Sequence, residues 1–267
     1  PLATALLLLA FDWPTVAVLL GLPALLAAVG AWRTSFDERA AVGVHDAPDA
    51  GHGEPSPRPD DRAALWTRSK ALFASGFAGV FVLVALSGLY YRGMLTFLPD
   101  LLTPLVTVDL PIDVAAGRYV YAGLLAVGIA GQYVGGRLSD HARTEWALAG
   151  ALAVLAAVAV VFLPVAGLGT AALLAVSAAL GFFLFLVQPL YQATVAEYTP
   201  PEARGLSYGY TYLAIFGVGA AGAAGAGGLL QIAGPPLLFG ALAGLALLGA
   251  SLSGGLAVRR ARVGTHP

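Results

Sequence analysis

The chain has 267 residues, of which 58% are hydrophobic and only 11% charged, and its net charge is −1. A water-soluble domain carries about 25% charged residues, so this composition excludes a globule that meets water on every side; lipid must solvate much of the surface. The near-neutral balance leaves no field to attract nucleic acid, and the lack of cysteine removes disulfides and thiolate metal sites.

The first ten residues, "PLATALLLLA", carry neither the basic n-region nor the small-residue cleavage pattern of a signal peptide. They read as the tail of a membrane span, and the chain as a piece of a longer protein. An apolar run over 14–31 follows. Residues 32–70, with "DERAAVGVHDAPDAGHGEPSPRPDDR", mix Pro, Gly, His and both charge signs and hold too little apolar surface for a core. A flexible linker is expected there. Six further apolar runs, about 71–98, 114–136, 146–163, 168–194, 206–233 and 236–258, each approach the roughly 20 residues that cross about 30 Å of hydrocarbon.

Alternating these spans puts 32–70, 137–145, 195–205 and 259–267 on one side. Those segments hold twelve of the fourteen Lys and Arg residues, all but Arg92 and Arg118. The positive-inside rule makes that side cytoplasmic, the C-terminus included, and the cell membrane the expected location. The expected fold is therefore an all-α polytopic membrane protein. Residues 1–31 form the tail of one transmembrane bundle, 32–70 a cytoplasmic linker, 71–258 a six-helix bundle and 259–267 a cytoplasmic tail. Trp13, Trp32 and Trp146 fall near expected interfaces, as aromatic-belt residues do.

Polarity is unequal among the six spans. The runs at 146–163 and 236–258 hold no charged or amide residue, whereas the other four carry Arg92, Arg118, Gln132, Gln188, Gln192 and several tyrosines. Helical spacing places Arg118, Tyr121, Leu125, Gly128 and Gln132 in one stripe; Gln188 and Gln192 share a face, as do Tyr208 and Tyr212. Tyr90, Tyr91 and Tyr191 could also stack on or hydrogen-bond a solute. Polar groups in lipid need partners or water, so four spans are expected to line a cavity and two to face lipid. Centring an arginine in a bilayer costs about 2.5–3.5 kcal/mol. Arg92 and Arg118 therefore either form a site for an anionic or zwitterionic small molecule, or snorkel and pair with Asp100, Asp109 or Asp113. No Asp or Glu sits mid-span, so a coupling proton would be relayed by carboxylates outside these spans.

The run "GVGAAGAAGAGG" (217–228) contains a literal Gly-x-Gly-x-x-Gly, but no strand precedes it and no acidic residue follows it. It reads instead as a helix-packing surface, with Gly217, Ala221 and Gly225 on one face. Charge is concentrated in "GGRLSDHARTE" (135–145), between the second and third of the six spans. This stretch resembles the loop signature of the major facilitator superfamily, Gly-x-x-x-Asp-Arg-x-Gly-Arg. Gly136 and Asp140 match; His141 replaces the first Arg, Arg143 falls on the second Gly and Thr144 on the final Arg. "EYTPPEARGLSYG" resembles the family's acidic-to-basic pair after its tenth span, through Glu197 and Arg204, with Gly205 and Gly209 following.

The resemblance covers essentially the whole chain and implies the family's C-terminal six-helix bundle plus about one and a half spans of its N-terminal bundle. It implies a secondary transporter that moves a small solute, an organic anion or drug-like compound, by alternating access. Gly136, Arg137, Asp140, Arg143, Glu197 and Arg204 would then form a cytoplasmic gate, with Asp140 attracting Arg204 and Glu197 pairing with Arg137 or Arg143. The substrate-binding candidates are Arg92, Arg118, Tyr121, Gln132, Gln188, Gln192, Tyr208 and Tyr212. No cofactor or metal is expected, and the partners are the lipid bilayer and the solute. A transporter-like sensor or receptor is the alternative. A membrane-embedded enzyme ranks below it, because His45, His52, His141 and His266 all fall in loops or the tail.

Overall fold

The computed structural model describes residues 12–33, 59–106 and 116–263. The expected span tail at 1–10, much of the linker, and Asp109 and Asp113 lie outside them. The chain divides into two units, Pro1–Ala63 and Ala64–Pro267. In the first, α1 (Trp13–Arg33) is a 21-residue helix whose Val18, Leu25 and Leu26 are exposed, as on a helix bathed in lipid.

α2 (Pro59–Leu72) covers the boundary, so residues 59–70, expected within the linker, are helical. A π-helical turn at Phe73–Phe77 leads into α3 (Ala78–Leu102). Gly76 has φ +96°, which a side chain would strain, and it redirects the chain between α2 and α3. α4 (Ala116–His141), α5 (Thr144–Ala166) and α6 (Thr170–Glu197) follow, joined by short connections. α7 (Arg204–Tyr212) runs through a second π-helical turn, Leu213–Val218, into α8 (Ala220–Val263). The final residues expected as a tail thus continue the last helix as far as Val263.

Among the described residues, five stretches are long and apolar enough to cross a membrane: Pro14–Arg33, Ala78–Leu105, Thr144–Ala166, Thr170–Glu197 and Arg204–Arg262. The last, at 59 residues, would reach about 90 Å as one helix, roughly three times a bilayer core. It breaks instead at Gly234 (φ +70°), ahead of Pro235 and Pro236. A residue before proline is pushed out of the α region, and glycine tolerates the alternative. Two spans result. α4 falls short on hydropathy because it carries Arg118, Gln132, Arg137 and Asp140, yet its 26 residues match its neighbours. The protein is an all-α polytopic membrane protein.

Lipid removes the hydrophobic drive between helices, so close packing must hold them together. α4 lies along α6, α5 against α6, and α8 against α3 and α5. The α4–α6 contact is a glycine seam. A Cβ added to Gly131 would overlap the carbonyl oxygen of Phe182, one on Gly135 would crowd that of Leu186, and one on Gly181 would overlap that of Leu124. α8 approaches α3 in the same way at Gly222, where a Cβ would strike the Leu89 carbonyl, whereas Gly225 meets nothing. The small-residue surface expected at Gly217, Ala221 and Gly225 is therefore real but turned, with Gly222 at its contact. On the other side Phe162 of α5 stacks on Phe239 of α8, ring centroids 4.8 Å apart.

Candidate functional site

Two features stand out in the six-span bundle: a half-open cavity and a charged cluster at its basic end. The cavity, about 290 Å³, lies between α3, α5, α6 and the turn after α7. Tyr90, Tyr91, Tyr191, Tyr212, Gln188, Gln192 and Ser87 supply its polar groups, and no charged residue among those described lines it. The π-helical turn brings Ile215 and Phe216 to the cavity, and Gly88 makes room: a Cβ there would sit 3.0 Å from the Ile215 Cα. Leu152 and Leu155 of α5 contribute apolar lining, so α5 does not face lipid alone.

The polar lining is only partly satisfied. Gln132 of α4 donates its Nε2–H to Gln188 Oε1 at 3.0 Å, leaving the Gln188 amide NH₂ for another acceptor. The Tyr90 side chain is buried, and its hydroxyl has no hydrogen-bond partner among the described residues. Such a group costs about 1–3 kcal/mol when left dry, and the oxygen has almost no accessible surface, so it is closed off from the cavity in this conformation. Of the sequence candidates, Gln188, Gln192 and Tyr212 line the cavity and Gln132 joins through Gln188. Arg118, Tyr121 and Tyr208 do not line it. Nor does Arg92; its guanidinium rests 5.4 Å from the Phe216 ring, which stacks on Tyr212 at 5.9 Å. The expected pairing of Arg92 and Arg118 around an anion is not what lines this space.

At the basic end, one arginine holds two acids. Arg260, near the end of α8, donates to Glu145 Oε1 at 2.8 Å and also to Glu197 Oε2. Glu145 is only 1% exposed, Arg260 47%. Around them Thr144 donates to Glu197 Oε1 at 3.0 Å, the Tyr198 hydroxyl to Glu145 Oε1 at 3.1 Å, and Ser253 to the Glu145 carbonyl at 2.7 Å. The Arg260 guanidinium also lies 5.5 Å from the Tyr198 ring. Burial, reinforced by the neighbouring Glu145 charge, pushes the Tyr198 hydroxyl up to about 12. The cluster borders an open pocket of about 790 Å³ that Asp140, His141 and Arg143 also line.

The expected ion pairs are replaced here. Glu197 takes Arg260 rather than Arg137 or Arg143. Arg143 instead donates to the Ala257 carbonyl at 3.2 Å, tying the α4–α5 loop to α8, and Arg137 lies over the Tyr133 ring at 4.9 Å. Asp140 and Arg204 are exposed and form no salt bridge among the described residues. The reason is geometric: Glu145 and Glu197 meet across the α5–α6 contact, and only the last helix brings a guanidinium between them.

The sequence model of the Major Facilitator Superfamily matches residues 1–223. The chain belongs to the Major Facilitator Superfamily. That family is one of membrane transporters. No curated protein and no solved structure matches the chain.

Within this member of the Major Facilitator Superfamily, the loop signature's departure has a structural counterpart. Thr144 stands where the signature ends in Arg, and its hydroxyl reaches Glu197. The same carboxylate also receives the Arg260 guanidinium from the end of α8. Glu145 stood out only as the last charge of the 135–145 stretch, and Tyr198, Ser253 and Arg260 not at all. The available signal was slight: an acid in the first turn of α5, and an arginine cluster close after an apolar run.

Proposed function

We propose that this protein is a secondary carrier that moves a small, largely apolar, drug-like solute by alternating access, with the tyrosine- and glutamine-lined cavity as its solute site. The observation that carries this reading is the uncharged lining, whose polar groups are tyrosine and glutamine side chains. An organic anion fits less well, because no arginine lines the cavity. A coupling proton would be handled by carboxylates outside it, since none lines it either.

The charged cluster serves as the gate in this reading, at the cytoplasmic end of a cell-membrane protein whose C-terminus is cytoplasmic. Arg260 holds α5, α6 and α8 together when that end is closed, and Asp140 and Arg143 border the opening. A bias of about 1–3 kcal/mol suffices to move such an equilibrium. Uptake of a panel of neutral, cationic and anionic aromatic compounds into proteoliposomes of the intact transporter tests the assignment. Neutral or weakly charged compounds are expected to be transported, with Gln188→Ala raising KM and Leu155→Trp, which fills the cavity, abolishing flux. Undiminished flux in Leu155→Trp would refute the site.

A further inference from the structure

We propose that a groove at the basic end, between the first turn of α5 and the last turns of α8, binds the headgroup of an anionic phospholipid. The groove is separate from both the cavity and the Arg260 cluster. It encloses about 470 Å³ and is lined by Trp146, Gly254, Gly255, Val258, Arg259 and Arg262.

Its position fits a lipid headgroup. The apolar run of α5 begins at Trp146 and that of α8 ends at Val258, with charged residues immediately beyond each. The groove therefore straddles the level where hydrocarbon gives way to headgroups. Trp146 is 50% exposed, and an indole combines an apolar body with a polar N–H, which suits that level. Gly254 and Gly255 leave a shallow channel beside it. A Cβ at Gly254 would touch the Trp146 ring at 3.8 Å, and one at Gly255 would meet nothing within 4 Å. An acyl chain can lie there.

The charges select the headgroup. Arg259 and Arg262 are one turn apart and both exposed, and among the described residues no acidic side chain lines the groove. Guanidinium forks match phosphate oxygens in pairs. The negative end of the α8 dipole opposes an anion here, but it amounts to roughly half a charge against two arginines. A zwitterionic lipid would bring its own ammonium toward those arginines, so a net-negative headgroup is favoured. Arg260, between them in sequence, turns the other way to Glu145 and Glu197. One helical turn thus carries the lipid contact on one side and the ion cluster on the other.

Native mass spectrometry of the full chain tests this, with an equimolar mixture of palmitoyl-oleoyl phosphatidylglycerol and phosphatidylcholine as probe. One phosphatidylglycerol is expected to be retained in preference to phosphatidylcholine. Arg259→Gln with Arg262→Gln should weaken that retention about 10- to 30-fold, near the yield of two surface arginines. Gly255→Leu blocks the channel without removing charge and should also release the lipid. This second variant decides the matter if the double variant is poorly folded. Equal retention of both lipids by the unmodified chain, or unchanged phosphatidylglycerol retention in Gly255→Leu and the double variant, would overturn the proposal. So would displacement of the lipid by millimolar inorganic phosphate, which would mark a site for free anions.

Discussion

Arg260 and Glu145 lie 115 positions apart, yet the guanidinium of one donates to the carboxylate of the other at 2.8 Å. The acid opens α5 and the base closes α8, so the pair ties together two spans that also share the Phe162–Phe239 stack. The second acid, Glu197 at the end of α6, makes the same guanidinium a three-helix contact.

Removing that guanidinium should destabilise the bundle. Stripping one partner from a buried ion pair costs about 3–5 kcal/mol, and the 47% exposure of Arg260 lets water screen it, so Arg260→Gln is expected to cost about 2 kcal/mol. Arg260→Lys should recover only part of this, because an ammonium lacks the fork that reaches both acids. Detergent-solubilised melting curves of the three proteins check the order. Glu197→Gln placed on top of Arg260→Gln should add little.

Asp140→Asn tests the loop signature separately. Asp140 borders the same open pocket but forms no salt bridge among the described residues, so its amide should leave the melting temperature unchanged. Transport should slow without being abolished. A larger loss of stability than in Arg260→Gln would reverse the ranking of the two residues.

Tyr90→Phe separates the cavity's chemistry from its packing. The hydroxyl is buried without a partner, so its removal should leave stability unchanged or raise it by up to about 1–3 kcal/mol. Transport efficiency should change little in the same variant, because the hydroxyl has almost no surface that a solute in the cavity can reach. Flux measured beside the melting temperature is the check.

The Tyr198 hydroxyl gives the ion cluster an alkaline limit. Its folded value, pushed up to about 12, lies above the ordinary value of 10.0. Stability from the neutral hydroxyl is therefore complete below pH 10 and is lost as pH rises toward 12. Tyr198→Phe should flatten the melting-temperature profile across that window.

Glycine substitutions distinguish contact from open surface. Gly131→Ala places a methyl against the Phe182 backbone and should destabilise by about 1–3 kcal/mol. Gly123 lies on the same helix with nothing within 4 Å, so Gly123→Ala should be neutral or gain up to about 1 kcal/mol from propensity. Paired melting curves settle it.

The spans were legible because twenty apolar residues in a row have few other uses, and Gly234-Pro235-Pro236 marks where the last long helix must divide. The cavity was half legible. Gln188, Gln192 and Tyr212 announced themselves as polar groups in apolar runs, but helical periodicity cannot say which helices become neighbours. Arg92 misled for that reason: its charge is conspicuous in sequence, while the ring of Phe216 that receives it is not. Arg260 was hidden among three arginines that all read as topology signals. Only the approach of α8 to α5 and α6 singles it out.

The glycine seam between α4 and α6 has a mechanical consequence. Helices in backbone contact have no side chains to act as bearings, so these two cannot slide or roll past one another without opening a gap. They make a stiff plank. The pliant parts lie on the other flank, where the π-helical turns at Phe73–Phe77 and Leu213–Val218 interrupt the regular backbone hydrogen bonding. Any change in the bundle's shape should therefore carry α4 and α6 as one beam and leave the bending to α3 and α7.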